Sequence, residues 1–311
     1  MEIVTFSDPP FNSKFSGNTI DICPVGALTS ADFRFKARVW ELVDTPSVCG
    51  HCPVGCNIIL GARVGEIRRS VPRQNEAVNE VWICDKGRFA HHYLRSPQRI
   101  PTPLIRRDGQ LVQTTWEEAL KFASSELARI QKQFGPQALA GIGSLRTTNE
   151  EQYLFQKFMR VVLGTNNLDH RLEGGWGEAE RWALPTASIR ALEEADAILM
   201  VGCDPSEEVP VLELRIKKAM RRHAAKLIVL SPRPLELSAR ATHWLQHRPG
   251  SEGAVLAGIL KRLLESSSLD EKSRRSIEDS LPTTATDLGL SEDELDGAAA
   301  TLAQTQRVAL L

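Results

Sequence analysis

Four cysteines constrain this chain more than anything else in its 311 residues. Cys49, Cys52 and Cys56 stand in the segment CGHCPVGC as Cys-x2-Cys-x3-Cys, and Cys84 in WICDKGRF follows after 27 intervening residues. With this spacing one tight loop wraps three corners of a metal site and a second segment closes the fourth. Gly50 and Gly55 permit the unusual backbone angles of such a loop and leave amides free to point at sulfur. Four thiolates with no other ligand suit a cubane of iron and sulfide. Tetrahedral sulfur also suits zinc, but zinc ribbons present two separate Cys-x2-Cys knuckles, whereas here three thiols share one loop. Four unrelated core cysteines are the remaining alternative. The spacing therefore predicts one tetranuclear (4Fe-4S) cluster on Cys49, Cys52, Cys56 and Cys84. His51 then lies beside the ligands, and Lys86 and Arg88 bring positive charge just past the fourth.

Six cysteines in all are too sparse for a disulfide scaffold, and a reducing compartment keeps them as thiols. Cys23 precedes the constellation, and Cys203 ends an apolar run, where it reads as a packing residue. Thirty-eight Lys and Arg against thirty-nine Asp and Glu leave a formal charge of -1, so no whole-chain field attracts nucleic acid or anionic lipid. No apolar run reaches the roughly 18 residues of a spanning helix, and the opening MEIVTFSDPPF lacks the regions of a signal peptide. The expectation is a cytoplasmic chain with no anchor of its own. Neither a G-x-G-x-x-G motif nor a P-loop is present, so no NAD or ATP site is assigned.

Residues 1–48 are rich in Pro, Gly, Ser and Phe and read as a partial segment of an upstream iron-sulfur region. Residues 49–100 carry the turn formers of a small 4Fe-4S domain built of short strands and loops. From 101 to 311 helical periodicity alternates with short β-branched runs, predicting a mostly parallel sheet covered by helices. Thr115 to Glu118 and Thr148 to Glu151 are capping boxes that open helices. Strands are expected over Ala138 to Gly143, Ala197 to Gly202 and Lys226 to Leu230. Helices are expected over Pro185 to Glu194, 209–223, 251–266 and 291–304, with a polar connection between the last two. Val308 to Leu311 reads as the opening of another strand.

CGHCPVGC with WICDKGRF resembles the iron-sulfur domain that opens the molybdopterin oxidoreductase superfamily. SGNTIDICPVGALTS, DFRFKARVWEL, TTNEEQYLFQKFMRVVLGTNN and VGCDPSEEVPVLELRIKKA are similar to the G subunit of bacterial NADH:quinone oxidoreductase, respiratory complex I. The resemblance runs nearly the whole chain. It implies an electron-transfer subunit whose partners are other peripheral-arm subunits. That polypeptide meets the membrane only through the complex, on the cytoplasmic face of the inner membrane. The resemblance further implies an α/β domain related to molybdoenzymes, with molybdopterin itself not expected. Cys23 matches the last ligand of a second cluster whose other ligands come from an upstream Cys-x2-Cys-x2-Cys that this sequence does not contain. The chain then reads as an internal piece, lacking the N-terminal ferredoxin-like module and the C-terminal part.

Two other functions compete. A catalytic molybdopterin enzyme of the formate dehydrogenase or nitrate reductase type shares the opening cluster domain, but DHRLEGGWGEAE offers no thiolate where those enzymes place a metal ligand. A scaffold piece with a purely structural cluster is the second. The basic stretch KKAMRRH falls on a helix with an apolar opposite face, which fits a solvated or partner-facing surface.

Overall fold

The computed structural model describes residues 8, 11–144, 146–170, 187–265, 267, 269–281 and 287–311. Contacts divide the chain into two compact units, one formed by Met1–His91 with Thr186–Leu311 and the other by His92–Pro185.

In the first unit a short helix α1 (Asn18–Ile22) precedes an antiparallel sheet of β1 (Val43–Val48), β2 (Asn57–Arg63) and β3 (Glu66–Pro72), in the order β1-β2-β3. Val48 pairs with Asn57, so residues 49–56 form the loop of a β-hairpin. After β3 the chain turns through 73–84 into the one-and-a-half-turn helix α2 (Asp85–Phe89), capped by Cys84.

The second unit opens with a hairpin of β4 (Leu104–Arg107) and β5 (Gln110–Gln113), followed by α3 (Trp116–Phe134). The Thr115 hydroxyl caps the Glu118 amide at 3.2 Å. Only half of the expected box forms, because the Glu118 carboxylate binds Arg107 and the Thr114 hydroxyl, which the hairpin brings over it. The expected strand over 138–143 is reduced to β6 (Gly141–Ile142), because its parallel partner β7 (Leu168–Asp169) offers two residues. A complete capping box at Thr148 and Glu151 opens α4 (Asn149–Lys157), which runs into a π-helical turn over Phe158–Val162. Leu139, Met159 and Leu163 form the small core of this unit.

The chain returns to the first unit with α5 (Ile189–Glu193), β8 (Ala197–Val201), α6 (Pro205–Glu208), α7 (Pro210–His223), β9 (Lys226–Leu230) and β10 (His243–Leu245). Helices α8 (Glu252–Glu265), α9 (Glu271–Ser280) and α10 (Glu292–Ala303) lead to β11 (Val308–Leu310). The four strands form a parallel sheet in the order β10-β9-β8-β11. Successive residues of β8 and β9 face opposite layers, as a strand requires. Leu199, Ile228 and Leu230 pack against α8 and α10 through Val255, Ile259 and Leu295. Ile198, Met200, Leu227 and Val229 pack against Ile216 and Ala219 of α7 and Leu192 of α5. Both faces are covered, which is why these strands read as unbroken apolar runs. Among the described residues no helix is long and apolar enough to cross a membrane.

Candidate metal centre

The hairpin loop closes on itself where the Cys49 amide donates to the Cys56 carbonyl at 2.8 Å. Within it Gly55 takes φ +65, a left-handed angle that a side chain would strain. Cys49, Cys56 and Cys84 are buried and Cys52 is half-buried. Cys49 and Cys56 share an apolar nest with Val54, Ile58, Ile83 and Val211, against which Cys52 also packs.

The thiols of the nest also bear on one another's charge. Burial pushes the Cys56 thiol up to about 12, and thiolates at Cys49, Cys52 and Cys84 push in the same direction. Burial also raises Cys49, where Cys84 and Cys52 add to the effect while the His51 amide and the Lys86 ammonium oppose it. Cys84 is raised by burial and by Cys52 and is relieved by the amides of Gly87 and Lys86. Burial and neighbouring thiols oppose ionisation at Cys49, Cys56 and Cys84, with amides turned toward two of them, and such a donor set calls for positive charge. A cubane of iron and sulfide supplies it, and the donor set fits one. Among the described residues no three His, Cys, Asp or Glu side chains converge on a single ion. A cubane spaces its thiolates farther apart than one ion does, because each sulfur holds a different iron. Gly87 keeps α2 close: a Cβ there would meet Ile83 at 2.9 Å and the Cys49 sulfur at 3.3 Å.

Two buried asparagines hold the ligand segments. Asn79 accepts from the Asn57 amide, next to Cys56, at 2.9 Å and donates to the Trp82 carbonyl at 3.0 Å. Asn18 donates to the Ile83 carbonyl at 2.7 Å and accepts from the Ile83 amide at 3.3 Å, gripping the residue before Cys84. The Asp85 carboxylate in turn accepts from the Ser16 and Gly17 amides at 3.1 and 2.8 Å. The segment carrying Cys23 thus braces the fourth ligand, a role its composition did not suggest. The signal available was polar: Asn and Asp flanking a cysteine run.

Of the two cations expected near the fourth ligand, Lys86 is exposed and favours the Cys49 thiolate. Arg88 is elsewhere engaged. It is buried, ion-paired with Asp21, and donates to the Asn18 side-chain oxygen Oδ1 at 3.4 Å. A guanidinium that close to α1 is better satisfied by a carboxylate than by sulfur.

Behind the nest, Arg215 of α7 is 3% exposed and donates to the carbonyls of Glu76 and Val78 at 2.9 and 3.0 Å. Glu80 and Glu193 neutralise it together with Lys218. Cys203 is half-buried against the apolar layer beneath β8. Cys23 is half-buried in a turn whose backbone amides, Leu28 foremost, lower its thiol. At the carboxyl ends of β8 and β9, Arg233 binds the Asp204 carboxylate at 3.0 Å. Most of DHRLEGGWGEAE, and the start of the helix expected from Pro185, lie outside the described residues.

Three family models match the chain: a molybdopterin oxidoreductase domain over 99–286, an NADH-ubiquinone oxidoreductase NDSU1/NuoG-like 4Fe-4S domain over 42–92, and the ferredoxin-like domain of NADH-quinone oxidoreductase subunit 3 over 1–29. Among curated relatives, the NADPH-Fe(3+) oxidoreductase subunit alpha of Geobacter sulfurreducens is 36% identical over 270 residues, covering 85% of this chain and 31% of the relative. The G subunit of NADH-quinone oxidoreductase from Mycobacterium bovis is 39% identical over 271 residues, covering 82% and 32%. NADH-quinone oxidoreductase subunit 3 of Thermus thermophilus is 37% identical over 272 residues, covering 80% and 34%. The chain thus spans about a third of the length of these relatives. The acetylene hydratase of Pelobacter acetylenicus shares the fold, with a TM-score of 0.64 at 18% identity over 85% of this chain and 39% of that one. With the thiol-bearing hairpin loop inside the NuoG-like match and β8, β9 and β10 of the parallel sheet inside the larger one, this chain belongs to the molybdopterin oxidoreductase family.

Proposed function

We propose that Cys49, Cys52, Cys56 and Cys84 hold a 4Fe-4S cluster and that the chain works as an iron-sulfur electron-transfer part of NADH:quinone oxidoreductase. The observation that carries this is the gathering of Cys49, Cys52 and Cys56 in one apolar cluster with Ile83, the residue before the buried Cys84. When bound, the cluster supplies one-electron chemistry and makes the thiolates stable in the nest. The chain's own residues do the rest. Ile58, Ile83 and Val211 keep water away, the amides of His51, Lys86 and Gly87 turn toward sulfur, and Asn18 and Asn79 fix the two ligand segments. The partners are other peripheral-arm subunits, and contact with the cytoplasmic face of the inner membrane runs through them. The segments 42–92 and 99–286 act as cluster domain and molybdoenzyme-derived body.

The test is elemental. Anaerobically prepared protein is expected to contain about four iron and four sulfide per chain, and stoichiometric zinc without sulfide would end the proposal. The isolated chain is expected not to oxidise NADH, since its sequence carries no nicotinamide-binding motif.

The molybdopterin oxidoreductase match over 99–286 favours a second reading, in which the body binds a pterin. The described residues at the carboxyl ends of β8 and β9 supply Arg233 and the half-buried Cys203. Stoichiometric molybdenum and pterin in the same preparation would establish that reading.

A further inference from the structure

A groove on the first unit runs along the last turns of α7, and its Phe15 also packs against the thiol nest. Its cavity volume of about 610 Å³ falls in the range of small-molecule sites. Phe15, Trp82, Leu214 and Met220 form an apolar floor, and Arg221, Arg222 and Arg240 stand at the rim. Two lysines on the wall are already neutralised. Lys217 meets Glu213 at 2.8 Å and Glu236 at 2.6 Å, and Lys218 meets Glu80 and Glu193.

The three arginines differ. None has an anionic or hydrogen-bonding partner for its guanidinium among the described residues, and all three are exposed. Cations in the last turn of a helix answer the helix dipole, which accounts for Arg221 and Arg222. It does not account for Arg240, which arrives from a separate 3-10 turn over Ser238–Arg240, or for the aromatic floor. The Trp82 indole N–H also lacks a partner among the described residues, although its backbone is held by Asn79.

We propose that this groove binds a small polyanion carrying an aromatic ring, of the nucleoside diphosphate class. The guanidiniums clamp the phosphates as bidentate donors, and the ring lies on the apolar floor beside Trp82. No glycine-rich loop is needed, because the phosphate charge is met by side chains instead of backbone amides. The surroundings argue for a compact ligand over an acidic peptide: Lys217 on the wall faces two carboxylates, Glu213 and Glu236, so negative charge spread beyond the three arginines would meet one left uncompensated.

Calorimetric titration of the full cluster-loaded chain with ADP, pyrophosphate and adenosine tests this. ADP is expected to bind one per chain, with pyrophosphate and adenosine each at least about tenfold weaker. The double variant Arg222→Ser with Arg240→Ser is expected to lose about tenfold or more in ADP affinity, since charged hydrogen bonds are removed. Both positions are exposed, and unchanged iron and sulfide content will show that the variant folds. Trp82→Leu is expected to weaken ADP and leave pyrophosphate unchanged. Any of four results overturns the proposal: no ADP binding at millimolar concentration, wild-type ADP affinity in the double arginine variant, pyrophosphate binding as tightly as ADP, or a glutamate-rich peptide binding more tightly than ADP.

Discussion

The molecule has two cysteine-bearing turns, and they are built in opposite ways. Around Cys23 the backbone amides of Val25, Gly26, Ala27 and Leu28 lower the thiol, and no other thiol contributes to its balance. In the nest of Cys49, Cys56 and Cys84, burial and neighbouring thiols raise every ionisation cost, and only a few amides oppose it. The first arrangement stabilises a lone thiolate by itself. The second is unfavourable to thiolates until a cationic centre joins them. The comparison teaches that a four-thiolate site is recognised less by comfort than by a shared deficit of positive charge, which burial makes severe.

Three experiments bear on this contrast. The largest effect is expected from ligand removal: Cys52→Ala or Cys84→Ala should abolish iron and sulfide incorporation. Cys23→Ala and Cys203→Ala should leave both at wild-type level. If all four variants lost the cluster alike, the distinction between nest and outlying thiols would collapse.

A smaller effect is expected in the helix that leads to Cys23. Asn18 of α1 is 4% exposed, and its side chain grips Ile83 beside Cys84. Asn18→Ala leaves the Ile83 backbone and Arg88 underpaired, and should destabilise the fold by about 1–3 kcal/mol. Hydrogen exchange should quicken at residues 82–85 and stay unchanged in β9. Unchanged exchange at 82–85 would show that the N-terminal segment does not brace the ligand.

The smallest effect is one of thiol chemistry in the iron-free, reduced chain. A thiol raised from 9.0 to about 12, as at Cys56, stays protonated in the fold while the unfolded chain releases its proton. Its contribution to stability is complete below about pH 9 and is lost as pH climbs through about 12. The Cys23 shift is downward, so its thiolate forms below the ordinary value. Iodoacetamide labelling followed by mass spectrometry should therefore mark Cys23 well before Cys56 at pH 8. Equal labelling at that pH would remove the contrast.

The parallel sheet was legible because buried strands announce themselves: AILMV and KLIVL became β8 and β9 with all but their end residues buried. Helices α7, α8 and α10 were legible from apolar periodicity. Helix α9 was not, since EKSRRSIEDS has a single large apolar residue, Ile277, and buries none of its side chains. The Asp270 cap, accepting from the Ser273 amide at 2.9 Å, was its one local signal. Arg88 was read as a neighbour of sulfur, because the carboxylate that claims it lies 67 residues earlier.

The sequence by itself determined the α/β alternation and the kinship with the molybdopterin oxidoreductases, and it spaced four cysteines as a candidate donor set. Spacing, period and turn chemistry within short windows carry the alternation and the cysteine pattern, and the resemblance of whole motifs carries the kinship. Only the tertiary structure decided that Asn18, Asn79 and Arg215 hold the ligand segments in place, that Arg88 serves Asp21, and that residues 1–91 join 186–311 in one unit although 92–185 intervene in the chain. A buried hydrogen bond or ion pair is specified by which groups the folded chain excludes from water together. The Arg215 side chain meets a backbone carbonyl 139 residues away for that reason.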